Sequence, residues 1–183
     1  HSYTPASTII PPQIPGRLAY EAEAAPGFKM NGKGDGDAAK AKALLDEAGG
    51  FKGDKMTLSY NADAAHKEWT EATCNSIKQA LGVECQAVGV VDFATFRSEI
   101  ADRKMKGMFR TGWQMDYPSI ENFLAPIYKT GASSNDGDYS NPEFDKLLSE
   151  GADAADPAAA NTKYQEAEAL LARLRRVRPA HNV

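Results

Sequence analysis

The 183-residue chain is poor in the side chains that most often carry chemistry, with three histidines and two cysteines. His1, His66 and His181 are scattered and two stand at the chain ends, so a catalytic histidine is not expected. Two cysteines with no histidine nearby likewise give no zinc site, and no metal or cofactor is expected. Long apolar runs are missing too. The longest, such as Val88-Gly89-Val90-Val91, are strand-sized, far short of the roughly 18 residues that a membrane span requires. Charge of one sign is also lacking. The net charge is -4 with both signs interspersed, which leaves no electrostatic footprint for nucleic acid or an anionic membrane surface. The opening His1-Ser2-Tyr3-Thr4-Pro5 has neither the basic start nor the apolar core of a signal peptide, so an export signal is expected upstream.

What is present is a globular composition, 42% hydrophobic and 25% charged, which favours neither disorder nor a membrane class. Residues 1–36 read as an extended arm: Pro5, Pro11, Pro12, Pro15 and Pro26 and the polar run 31–37 forbid long helices. Ile9, Ile10, Ile14, Leu18, Tyr20 and Phe28 are too apolar for a free linker, so the arm is expected to pack on the rest. Residues 37–174 are expected to form one α/β lobe, followed by a basic tail at 175–183.

Within 37–174, Asp37 can cap a helix with Ala38, Ala41, Leu44, Leu45 and Ala48 at helical spacing, stopped by Gly49-Gly50. The alternation at 55–60 predicts a strand with Met56, Leu58 and Tyr60 on one face. A helix over 64–81 follows, with Trp69, Thr73, Ile77, Ala80 and Leu81 as its buried stripe and Gly82 as its stop, then a strand at 83–90. Strand, helix, strand in this order is a βαβ unit with two parallel strands. Asp92 caps a further helix with Phe93, Phe96 and Ile100 inward, 108–113 reads as a third strand, and helices follow near 141–151 and 157–174.

Cys74 and Cys85 flank Gly82, one on the helix and one on the strand. From Gly82 the helix returns about 12 Å to Cys74 and the strand advances about 10 Å to Cys85, so the two can sit level. They form either a disulfide, which would place the chain outside the cytosol, or two separate buried thiols. Gly32-Lys33-Gly34-Asp35-Gly36 lacks phosphate-loop spacing, and Asn135-Asp136-Gly137-Asp138 lacks the ligand register of a calcium loop; both read as turns.

The informative segment is Phe109-Arg110-Thr111-Gly112-Trp113-Gln114-Met115-Asp116-Tyr117-Pro118. It places a guanidinium in an apolar strand, and an indole and a carboxylate where that strand leaves the sheet, the usual side for ligands in parallel sheets. Arg110 can grip a carboxylate, Asp116 an ammonium, and Trp113 offers a flat apolar wall, a set that suits a zwitterion. The alternative is that Arg110 and Asp116 pair with each other or with backbone while Trp113 fills the core.

That segment resembles the Arg-x-Gly-Trp-x-x-Asp-Tyr motif of the family 5, oligopeptide- and dipeptide-binding type, solute-binding proteins of ABC transporters, here continued by Ser119-Ile120-Glu121-Asn122-Phe123-Leu124. Three more stretches resemble the family in the same order: Ile9-Ile10-Pro11-Pro12-Gln13-Ile14-Pro15-Gly16, Ala39-Lys40-Ala41-Lys42-Ala43-Leu44-Leu45-Asp46-Glu47-Ala48-Gly49, and Tyr139-Ser140-Asn141-Pro142-Glu143-Phe144-Asp145-Lys146-Leu147-Leu148. The resemblance runs over about 5–172. It implies a periplasmic-binding-protein-like (type II) C-terminal lobe with a mixed, partly parallel sheet flanked by helices. It implies no enzyme, but a receptor that holds a short peptide and hands it to a membrane permease. Asp116 would then hold the peptide's α-ammonium, Arg110 and Trp113 would line the site, and Tyr117 stands beside them. It further implies an extracytoplasmic place, a lipid anchor through an earlier segment and an opposing N-terminal lobe, without which weak or no ligand binding is expected. Another small solute (a sugar, a nickel complex, an opine) is the alternative within the family; an extracellular interaction or inhibitor-like domain is the alternative outside it. The basic residues from Arg173 on depart from the family pattern.

Overall fold

The computed structural model describes residues 8–18 and 37–174. Tyr20, Phe28, the glycine-rich turn at 32–36, His1, His181 and the basic tail at 175–183 lie outside the described residues. The chain divides into two compact units: a sheet unit, Gly36–Gly112, and a helical unit that joins Trp113–Val183 to His1–Asp35. The stretch 37–174 is thus shared between the two.

The sheet unit begins with α1 (Ala38–Glu47), whose first turn is closed by Lys40 N–H donating to the Asp37 carboxylate at 2.9 Å. Gly49 and Gly50 end it in the left-handed region, at φ 85° and 77°. Then come β1 (Met56–Asn61), α2 (Lys67–Leu81), β2 (Cys85–Val90), α3 (Phe93–Ala101) and β3 (Met108–Phe109). The sheet runs β2-β1-β3 with both pairings parallel, from Met56 opposite Cys85 to Asn61 opposite Val90, and Leu58 opposite Met108. As the central strand, β1 buries residues of both faces past its start. Leu58 and Tyr60 are covered as expected, and so are Ser59 and Asn61, while Met56 is only half-buried.

Two helix faces differ from the sequence reading. The covered line of α2 runs through Thr70, Cys74 and Ile77, one position round from Trp69 and Thr73, which are exposed. Thr70 can be buried because its hydroxyl donates inside the helix, to His66 O and Lys67 O at 2.8 and 2.9 Å. Cys74 faces inward because it is joined to Cys85 by a disulfide, with Cα atoms 4.9 Å apart. In α3, capped by Asp92, Phe96 and Ile100 are inward but Phe93 is 48% exposed.

The helical unit contains α4 (Ile120–Tyr128), α5 (Pro142–Ala152) and α6 (Pro157–Leu174). The last two each start on a side-chain cap: Asn141 accepts from Glu143 N and Phe144 N, and Asp156 from Ala158 N and Ala159 N. Helix α4 was not foreseen. Ser119 caps it, and it passes through Pro126, which forfeits only the bond to the Asn122 carbonyl one turn back. Its inner face, Ile120, Phe123 and Leu124, packs with Phe144, Leu148, Tyr164 and Ala167 into one core. Each fully buried large side chain there contributes roughly 1.5–3 kcal/mol.

Residues 8–18 complete this core. Ile10 and Ile14 are 1% and 6% exposed, Arg17 Nε donates to Ile10 O, and Gln165 Nε2 donates to Gly16 O. Asn135 is a loop brace: its amide donates to Lys129 O and Tyr139 O and accepts from Tyr139 N, holding the polar turn at 135–138.

Candidate binding site

Strand β3 stops at Phe109, so Arg110 stands at the point where the chain leaves the sheet and not inside a strand running to 113. Its N–H still donates to Ser59 O at 2.8 Å, but no further ladder follows. The half-buried guanidinium donates to Asn61 Oδ1 at 3.4 Å, and Asn61, 3% exposed at the end of β1, donates to Asp63 Oδ1 at 2.6 Å. The other oxygen of Asp63 accepts from Phe93 N at 3.0 Å, at the start of the helix after β2. The bonds from Asn61 and Phe93 hold the Asp63 carboxyl below its ordinary 3.8. One chain of hydrogen bonds thereby ties together the carboxyl ends of all three strands. His66 accepts from Trp69 Nε1 at 3.1 Å, and burial, then the Arg110 guanidinium, hold its pKa below the ordinary 6.5.

The other three expected site residues belong to the helical unit and gather on α4. The agent is Asn122, 2% exposed, whose side-chain oxygen accepts from Trp113 Nε1 at 3.1 Å and from Asp116 N at 3.0 Å. Its amide nitrogen in turn donates to Asp116 Oδ2 at 3.4 Å. Trp113 packs against the core on one side and remains half-buried, while Asp116 and Tyr117 are exposed. Tyr117 donates to the Glu121 carboxylate, and that bond holds its phenol above the ordinary 10.0. Asn122 and Glu121 have no signal of their own in the sequence: an asparagine inside an apolar helical run carries no sign of which backbone it will hold.

Both groups can bind ligand by charge and shape, Arg110 as a donor and Asp116 as an acceptor beside an indole. Among the described residues no cluster of three or more histidine, cysteine or acidic side chains could hold a metal. No helix among them is long and apolar enough to cross a membrane.

The fold is that of the periplasmic binding proteins: the OppA structure of Burkholderia pseudomallei superposes with a TM-score of 0.75 at 25% identity, over 93% of this chain and 33% of that one. Residues 1–135 match the family described as bacterial extracellular solute-binding proteins, family 5, middle region, and the chain belongs to that family. The periplasmic oligopeptide-binding protein OppA of Salmonella typhimurium is 32% identical over 173 residues, 91% of this chain and 30% of that protein. The periplasmic murein peptide-binding protein MppA of Escherichia coli is 31% identical over 138 residues, 73% of this chain and 25% of that protein. The chain therefore spans about a third or less of the length of these relatives.

Proposed function

We propose that this chain supplies one side of the ligand site of an extracytoplasmic receptor that captures short peptides for an ABC importer and performs no chemistry on them. In this reading Asp116 accepts the peptide's α-ammonium and Trp113 lies along its apolar part; Arg110, on the sheet unit, is by itself a candidate donor to a carboxylate. Tyr117, engaged by Glu121, borders the ammonium position. The observation that carries the reading is the Asn122 amide, which fixes the indole of Trp113 and the backbone of Asp116 at once and leaves the carboxylate facing solvent. A receptor needs such pre-ordered polar groups, because a site ordered only on binding loses affinity. The peptide-binding names of the two relatives support the ligand class, and a carboxylate as the exposed charged group suits an amine-bearing solute better than a neutral sugar. A second lobe would supply the opposing wall and the desolvation, a permease would receive the peptide, and an N-terminal lipid would anchor the receptor outside the cytosol.

Mass spectrometry of small molecules released by denaturing the purified chain tests this directly. Short peptides with free amino termini are the expected cargo; a sugar, a nickel complex or an opine would move the reading to another solute of the same family.

A further inference from the structure

A concavity lies within the sheet unit, at the amino ends of β1 and β3, opposite the ends that Arg110 follows. It is an open groove of about 530 Å³, a volume within the usual range for small-molecule sites. Phe51, Met56 and Met108 supply apolar lining, and Phe51 and Met108 are 38% and 40% exposed. Lys55, Lys106 and Asp54 complete the charged lining, giving one net positive charge. Its shape is built. Thr57 Oγ1 donates to Lys106 O at 2.8 Å, drawing the loop before β3 against β1. Gly107 sits at φ 80°, and a Cβ there would stand 2.4 Å from Thr57 Oγ1, so this closure depends on glycine.

We propose that this groove binds a small, monomeric anionic amphiphile, such as a medium-chain fatty carboxylate, with its apolar body against Phe51, Met56 and Met108 and its head between Lys55 and Lys106. Unbranched thioether side chains adapt to a flexible chain, which is why two methionines suit an acyl body better than a rigid one. Two lysines in the lining, Lys106 and Lys55, whose ammonium also donates to Gln86 Oε1 at 2.6 Å, favour an anion over a neutral amphiphile and over a cation. The ammoniums remain near water, so each contributes modestly, and the selection is one of charge sign added to apolar burial. The inference rests on the sheet unit alone and is independent of the peptide reading.

The probe is decanoate, below its micelle-forming concentration, added to the chain with methionine methyl groups labelled for NMR. Decanoate is expected to shift the Met56 and Met108 signals saturably and leave Met115, next to Asp116 in sequence, unmoved. The neutral decanol is expected to bind roughly fivefold more weakly, and Lys55→Gln with Lys106→Gln to weaken decanoate by a similar factor without changing decanol. Silent Met56 and Met108 signals overturn the proposal. So do equal affinities for decanoate and decanol, an unchanged lysine double variant, or shifts that include Met115, which mark nonspecific detergent action.

Discussion

Asp116 and Asn122 hold each other at both ends of one amide: the Asn122 oxygen accepts the Asp116 N–H at 3.0 Å, and the Asn122 nitrogen donates to Asp116 Oδ2 at 3.4 Å. Because the same oxygen also accepts from Trp113, one buried side chain sets the direction of a charge and of a ring. Asn122→Leu leaves both donors without that acceptor and is expected to lower unfolding free energy by about 2 kcal/mol in a denaturant titration. Asn122→Asp keeps the acceptor but puts a carboxylate beside Asp116, so its loss is expected to be smaller at acid pH, where one of the pair is protonated, than at neutral pH.

The disulfide between Cys74 and Cys85 closes a short loop across the helix stop at Gly82. Reduction, or Cys74→Ala with Cys85→Ala, is expected to lower stability by about 2–3 kcal/mol in the same titration. Intact mass after alkylation checks the bond itself: no adduct without reductant, two with it.

The pKa of His66 answers to Arg110. Burial is the larger cause of its lowered value and the Arg110 guanidinium the next, with Asp63 opposing. Since the folded value lies below the ordinary 6.5, the stability tied to the neutral ring is present above 6.5 and is lost as pH falls through the folded value. Arg110→Gln is expected to raise the His66 midpoint in an imidazole NMR titration. An unchanged midpoint would leave burial as the one lowering cause.

Gly151, buried on α5, lies where a Cβ would stand 2.4 Å from Tyr164 Cε1 of α6. Tyr164 is itself 7% exposed and cannot swing away freely. Gly151→Ala is expected to cost about 1–3 kcal/mol by overpacking, read as a lowered thermal midpoint.

Several helix ends were legible because each rests on one local residue: Asp37 and Asp92 at the starts, Gly49 and Gly82 at the stops. The faces of α2 were not, since a disulfide and a self-satisfied Thr70 hydroxyl overrode the larger apolar side chain of Trp69. Strand β3 is shorter than the 108–113 expected from sequence, because its pairing ends at Phe109 opposite Ser59, two residues before β1 itself ends at Asn61. Pro126 hid α4, and with it the helix on which the site is built. The site residues Arg110, Trp113, Asp116 and Tyr117 stood out as a motif, but the buried amides of Asn61 and Asn122 that orient them did not, because their partners are set by tertiary contact and not by spacing.

The indole N–H signals of Trp113 and Trp69 report on the central claim most directly. With a short peptide at high enough concentration to read weak binding, the account predicts that a free amino terminus shifts Trp113 saturably. An N-acetylated peptide of the same sequence, or the Asp116→Asn chain, is expected to give no such shift. Equal shifts with free and acetylated peptides, or an Asp116→Asn chain that responds like the parent, would contradict it.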